Sequence, residues 1–155
     1  MEFQSIQDIL DFAISKEREA AAFYTEAGKE ESMSGAKEML KEFAQQERKH
    51  QALLEEFKKK GFAPGISDYK FKWITDIKRS NYIVDMEYRK GMPYNELLML
   101  AMKREEKALA LYNEMQVKAD TPEGKKLFKM LCQEEAKHKL SLETMYDDYM
   151  AQMGD

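Results

Sequence analysis

The chain has only two histidines, and each closes a Glu-x-x-His motif: Glu47-Arg48-Lys49-His50 and Glu135-Ala136-Lys137-His138. On an α-helix, residues three apart lie about 300° around the axis and face the same side, so a carboxylate and an imidazole can serve one centre. Each histidine also lies 33 residues after a further glutamate, Glu17 for His50 and Glu105 for His138. Four carboxylates and two imidazoles suit a pair of divalent cations, whose charge balances the glutamates. One Glu from each of two helices, plus Glu-x-x-His from each of the other two, is a ligand set for carboxylate-bridged dimetal centres. Glu47 and Glu135 are then the bridging ligands, Glu17 and Glu105 the terminal ones, with His50 and His138 supplying one imidazole per metal. Oxygen-rich ligation favours iron or manganese over zinc, whose structural sites prefer sulfur and nitrogen. The expectation is two iron ions per chain, with manganese or zinc as substitutes.

These residues belong to a repeat with an offset of 88, which pairs Glu17 with Glu105, Ala20 with Ala108, Tyr24 with Tyr112, Glu47 with Glu135 and His50 with His138. Each half carries two stripes at helical spacing. The first half has Ile6, Leu10, Ala13, Glu17, Ala20, Tyr24, Ala27 and then Ala36, Leu40, Phe43, Glu47, His50, Leu54, Phe57. The second has Tyr94, Leu98, Ala101, Glu105, Ala108, Tyr112, Met115 and then Gly124, Phe128, Leu131, Glu135, His138, Leu142, Met145. Six polar residues thus stand where a core should be, and buried carboxylates need compensating cations or altered protonation. Ala20 and Ala108 leave room beside the metals for a small oxidant. Tyr24 and Tyr112 fall on the same face as the terminal glutamates, where a hydroxyl can hydrogen-bond a ligating carboxylate across the bundle.

The stripes predict four helices, over about 3–30, 33–60, 94–119 and 122–151. Gly28 to Gly35 marks the first connection, Gly61 to Gly65 the end of the second helix, and Asp120-Thr121-Pro122 the start of the fourth, with Thr121 as cap and Pro122 at the first helical position. Short connections make helices 1 and 2 antiparallel, and likewise 3 and 4. Residues 61–93 form a crossover long enough to traverse the bundle, aromatic through Tyr69, Phe71, Trp73, Tyr82 and Tyr88, with a short helix expected around Ile74 to Met86. The fold class is all-α, an antiparallel four-helix bundle forming a single domain over 1–155, with one long crossover between helices 2 and 3.

Composition agrees. Charged residues are 35% and apolar ones 43%, with 7 Gly and 3 Pro, which favours long amphipathic helices over a turn-rich sheet. The net charge of -4 is dispersed, so nothing points to nucleic acid or a membrane surface. Lys58, Lys59 and Lys60 suit the negative end of a helix dipole just before Gly61. Cys132 is the single cysteine, which excludes an internal disulfide and a four-cysteine metal site in this chain. With no signal-like N-terminus and no long apolar run, the expected location is cytoplasmic.

With Glu17-x-x-Ala20-x-x-x-Tyr24, Glu105-x-x-Ala108-x-x-x-Tyr112 and the two Glu-x-x-His motifs in place, the chain resembles the rubrerythrin-type ferritin-like proteins over nearly everything outside the crossover. The resemblance implies a di-iron centre on those six residues and a non-haem oxidoreductase that reduces hydrogen peroxide or dioxygen, in defence against oxidative stress. It also implies a homodimer. Full-length rubrerythrins append a rubredoxin domain with iron on four cysteines, absent here, so the expected electron donor is a separate protein such as a rubredoxin. Efficient peroxidases of the family carry another glutamate three positions beyond the helix-3 terminal ligand, where this chain has Ala108. Two other functions compete: a ferroxidase or iron-handling protein, which needs a large cage and for which no fifth helix is evident, and a helical interaction module stabilised by metal.

Overall fold

A computed structural model describes residues 6–30, 34–61, 69, 71, 74 and 87–153 of the chain. Four helices and no strands occur among them: α1 (Ile6–Glu30), α2 (Ser34–Lys60), α3 (Tyr94–Lys118) and α4 (Pro122–Met153). The first and last described residues of these helices reflect local chemistry. Thr121 Oγ1 accepts the Gly124 N–H at 3.0 Å, which satisfies one of the donors left open at the start of α4. At the other end of the second helix, Gly61 takes φ +77° and returns its N–H to the Phe57 carbonyl at 2.8 Å. That left-handed cap closes α2 behind its three lysines.

One boundary signal behaves differently from the sequence reading. Gly28 does not end α1; it is a buried helical residue, and α1 runs on to Glu30. A Cβ built on Gly28 would lie 3.6 Å from the Leu40 Cβ, so the small residue lets α1 approach α2 near their shared turn. The short helix expected around Ile74 to Met86 lies outside the described residues except for Ile74, which is not helical, and so do Trp73 and Tyr82.

The apolar stripes bury themselves in two blocks. One block gathers Ile9 and Leu10 from the start of α1, Phe57 from the end of α2, Met115 from the end of α3, and Leu127 and Phe128 from the start of α4. The other joins Phe23 and Ala27 with Leu40, Leu97, Leu98 and Leu142 from the opposite ends of the same helices. Helices 1 and 4 therefore start where 2 and 3 finish, and the chain must cross the length of the bundle between α2 and α3. This is the ferritin-like arrangement. Within it α1 packs mainly along α2, and α3 mainly along α4. Tyr69 and Phe71, the described aromatics of the early crossover, pack on the first block.

Replacing Thr121 by Ala should destabilise the fold by about 1 kcal/mol through loss of the cap. Urea unfolding followed by circular dichroism would register this as a lower midpoint at unchanged slope.

Candidate metal centre

Between the two apolar blocks all six predicted polar residues come together, buried: Glu17, Glu47 and Glu105 are 2% exposed, Glu135 1%, His50 3% and His138 2%. Each stands in a helical stripe whose other members are apolar, aromatic or small, so packing of those members turns the polar side chains inward. Two sets of ligand atoms result, Glu17–Glu47–His50–Glu135 and Glu47–Glu105–Glu135–His138, each with all its atoms within 4.8 Å of one another. Glu47 and Glu135 belong to both sets. The offset of 88 exchanges one set for the other, residue by residue.

Both imidazoles turn Nδ1 toward the carboxylates. His50 Nδ1 is 2.9 Å from Glu135, and 3.7 Å from both Glu17 and Glu47. His138 Nδ1 is 3.0 Å from Glu47, 3.5 Å from Glu105 and 3.7 Å from Glu135. The nearest of these His138 approaches is an ion-pair distance without hydrogen-bond geometry, since His138 Nδ1 and Glu47 Oε1 both lack a hydrogen-bond partner. Three further buried oxygens share that condition, Glu17 Oε2, Glu105 Oε2 and Glu135 Oε2. Five orphaned ligand atoms facing one another are what a dimetal centre would satisfy, and an all-protein site would not leave them so. The residues fit the ions.

The protons held in this cluster follow from its charge. Burial, then repulsion from Glu135, raises Glu47 and Glu105 well above the usual carboxylate range. Burial alone would lower His50, but the carboxylates of Glu135 and Glu17 outweigh it and raise the imidazole to about 10. For His138 burial is likewise outweighed, by Glu105 and Glu135, giving about 9. Glu135 goes the other way: burial would raise it, but its interactions with Glu105, His138 and His50 hold it well below the usual range.

A second layer fixes the ligands. Tyr24 on α1 donates to Glu105 on α3 at 2.5 Å, and Tyr112 on α3 donates to Glu17 on α1, so each tyrosine reaches the other half of the repeat. Burial, and then the adjoining carboxylates, push both phenols well above 10, which keeps them donors at neutral pH. Ala20 and Ala108 line a cavity of about 760 Å³ between α1 and α3 that reaches Glu17, Glu47, Glu105 and Glu135. Its lining includes the exposed residues Lys16, Glu87 and Lys107, so the carboxylate face of the cluster communicates with the surface.

A family model described as Rubrerythrin matches residues 8–146. The chain belongs to the rubrerythrin family. Two solved structures share the fold: a hypothetical protein from Pyrococcus furiosus, 24% identical, with TM-score 0.70 over 93% of this chain and 89% of that one; and a protein from Thermotoga maritima described as ferritin-like and diiron-carboxylate, 22% identical, with TM-score 0.73 over 96% of this chain and 99% of that one. No curated protein matches by sequence.

Within this rubrerythrin two supporting residues escaped the motif reading. Gln46 Oε1 meets His138 Nε2, and it can only accept, so the imidazole carries a proton on Nε2. Phe43 stacks on the same ring at 4.2 Å. The repeat counterpart of Gln46 is Glu134, which accepts a 2.7 Å hydrogen bond from Tyr69 of the crossover and another of 2.7 Å from Lys137. The only signal was position, since Gln46 and Glu134 immediately precede the two shared glutamates. Also unforeseen, Lys139 and Glu143 on α4 are buried and pair at 3.3 Å. Among the described residues no helix is long and apolar enough to cross a membrane.

Metal loading at pH 7 should release at least two protons per chain, one from each imidazole. Metal binds the deprotonated ligands, so affinity should rise with pH up to the range of about 9 to 10 and weaken as pH falls. Calorimetry in buffers of different ionisation enthalpy counts these protons, and a pH-independent affinity would contradict the assignment. Gln46→Ala should weaken metal binding by roughly 10–100-fold, as other losses of a ligand-orienting partner do. Competition with a chelator of known affinity would measure it.

Proposed function

We propose that this rubrerythrin is a non-haem di-iron oxidoreductase that reduces hydrogen peroxide or dioxygen. The observation that carries the reading is the pair of ligand sets sharing Glu47 and Glu135 at the floor of a cavity open to the surface. Carboxylate-rich ligation with one imidazole per set suits iron, and the relative from Thermotoga maritima is described as a diiron-carboxylate protein. When bound, two ferrous ions supply the two electrons that reduction of a peroxide requires.

The chain's own residues do the rest. Glu47 and Glu135 hold the shared position, with Glu17 and His50 on one side and Glu105 and His138 on the other. Tyr112 and Tyr24 orient the two terminal carboxylates and keep their protons on oxygen. Ala20 and Ala108 leave the cavity side of the cluster free of bulky side chains, where a small oxidant can approach. Cys132 cannot build a four-cysteine centre, and burial pushes its thiol up to about 11, so it is a poor redox thiol at neutral pH. Electrons in this reading come from a separate donor protein such as a rubredoxin.

The test begins with anaerobic loading of ferrous iron and elemental analysis. Two irons per chain, falling sharply in Glu47→Ala and His138→Ala, are expected, followed by rapid oxidation of the loaded protein by peroxide in stopped-flow. A helical protein that retains no iron would end the reading. Two irons that resist both peroxide and dioxygen for minutes would leave a metal-stabilised module in its place.

A further inference from the structure

The cavity between α1 and α3 is much larger than its inorganic oxidants need. A peroxide occupies little more than a water or two, at roughly 30 Å³ each, whereas the cavity measures about 760 Å³, within the range of sites for organic ligands. Its walls combine apolar groups with both acidic and basic side chains. Phe12, Leu100, Ala108 and Leu111 supply the apolar surface, and Glu17 and Glu105 bring the carboxylate cluster to its wall.

The two ends of the cleft are related by the repeat but differ in charge. At one end stands Lys16, paired with Glu19 at 3.2 Å. At the other stands its counterpart Arg104, and the counterpart of Glu19 is Lys107, so the local carboxylate is replaced by a second cation. Arg104 has no carboxylate within ion-pair distance among the described residues; its Cζ lies 4.4 Å from the centre of the Phe23 ring, and its buried Nε has no hydrogen-bond partner. Tyr88 also packs on Phe23, edge-on at 5.6 Å, lines the same cavity, and carries a buried hydroxyl without a partner. Besides Glu17, Glu47, Glu105 and Glu135 of the buried cluster, the acidic groups of the wall are Glu19, paired with Lys16, Glu114, paired with Lys118 at 2.8 Å, and Glu87. Glu87 remains on the exposed rim.

We infer that this cleft binds an amphipathic organic monoanion, an apolar chain with one carboxylate, seated with the carboxylate on Arg104 and the chain running past the metal cluster toward Leu111. A guanidinium matches a carboxylate through two parallel hydrogen bonds, and the Tyr88 hydroxyl offers a third donor. From Arg104 to Leu111 the helix advances roughly 10 Å at 1.5 Å per residue, the length of a chain of about eight carbons. Binding of the carboxylate stands without reference to redox chemistry. That the hydroperoxide of such a chain is the reducible substrate rests on the preceding reading. Its reduction breaks the O–O bond, consumes two electrons from the donor protein of that reading and two protons from water, and yields the alcohol and water.

The test is calorimetric titration of the full chain with octanoate and, separately, with octanol. Octanoate should bind at one site per chain, at least about tenfold more tightly than octanol, the margin a charge-assisted bidentate pair supplies. Arg104→Met should abolish that preference and Arg104→Lys restore part of it. Absence of octanoate binding, equal affinity for acid and alcohol, or an unchanged preference in Arg104→Met would each overturn the proposal. The first two comparisons use the unaltered chain, so they decide even if a variant misfolds. Octanoate binding by a chain that takes up no iron would refute the di-iron reading and leave the cleft assignment standing.

Discussion

Four carboxylates buried at mid-height in a helical bundle are the constraint on which the rest of the structure depends. Each would cost several kcal/mol to bury alone as an ion, and here Glu17, Glu47, Glu105 and Glu135 converge with two imidazoles. The apolar blocks above and below make this arrangement affordable only because they grip all four helices at both ends. The helices can then bring the glutamates to one point without collapsing around it. The raised proton affinity of Glu47, Glu105 and the two imidazoles works against the accumulated charge, and the orphaned atoms are those a metal pair would engage.

The repeat explains how a short sequence builds such a centre. Each half contributes one terminal glutamate, one shared glutamate and one histidine, and the antiparallel bundle relates the halves so that Tyr24 supports Glu105 while Tyr112 supports Glu17. Departures from the repeat are as informative as its matches. Gln46 backs His138, whereas the equivalent Glu134 is drawn toward Tyr69 and Lys137, so the surroundings of the two imidazoles differ in charge. Lys16 pairs with Glu19, whereas after Arg104 the position that corresponds to Glu19 holds Lys107. A pseudo-symmetric scaffold thereby acquires a cleft with distinct ends.

The described aromatic residues of the crossover touch the scaffold at two places. Tyr69 and Phe71 lie against α4, with Lys129 4.5 Å from the Phe71 ring centre and Lys137 5.4 Å from that of Tyr69. Tyr88 packs on Phe23 at 5.6 Å, a few residues before α3 begins. The cleft lies between α1 and α3, with Glu87 and Tyr88 in its wall, and small residues at 20 and 108 leave its space unfilled. Access to the cluster is therefore a property of two alanines in otherwise well-filled stripes.

Helix number, the polar members of each stripe and their pairing into two equivalent sets were legible in the residues, because helical periodicity fixes which side chains share a face and a repeat fixes which faces correspond. The capping of α4 by Thr121 was legible for the same local reason. Gly28 misled because a glycine reads locally as a break, while tertiary packing used it for close approach to Leu40. Gln46, the stacking of Arg104 on Phe23 and the buried Lys139–Glu143 pair depend on what tertiary packing places beside them, and periodicity carries no information about that. The residue types determined by themselves that a core with four carboxylates and two imidazoles would form. Only the packing of one helix pair against the other decided which atoms were left open, and how wide a cleft would lead to them.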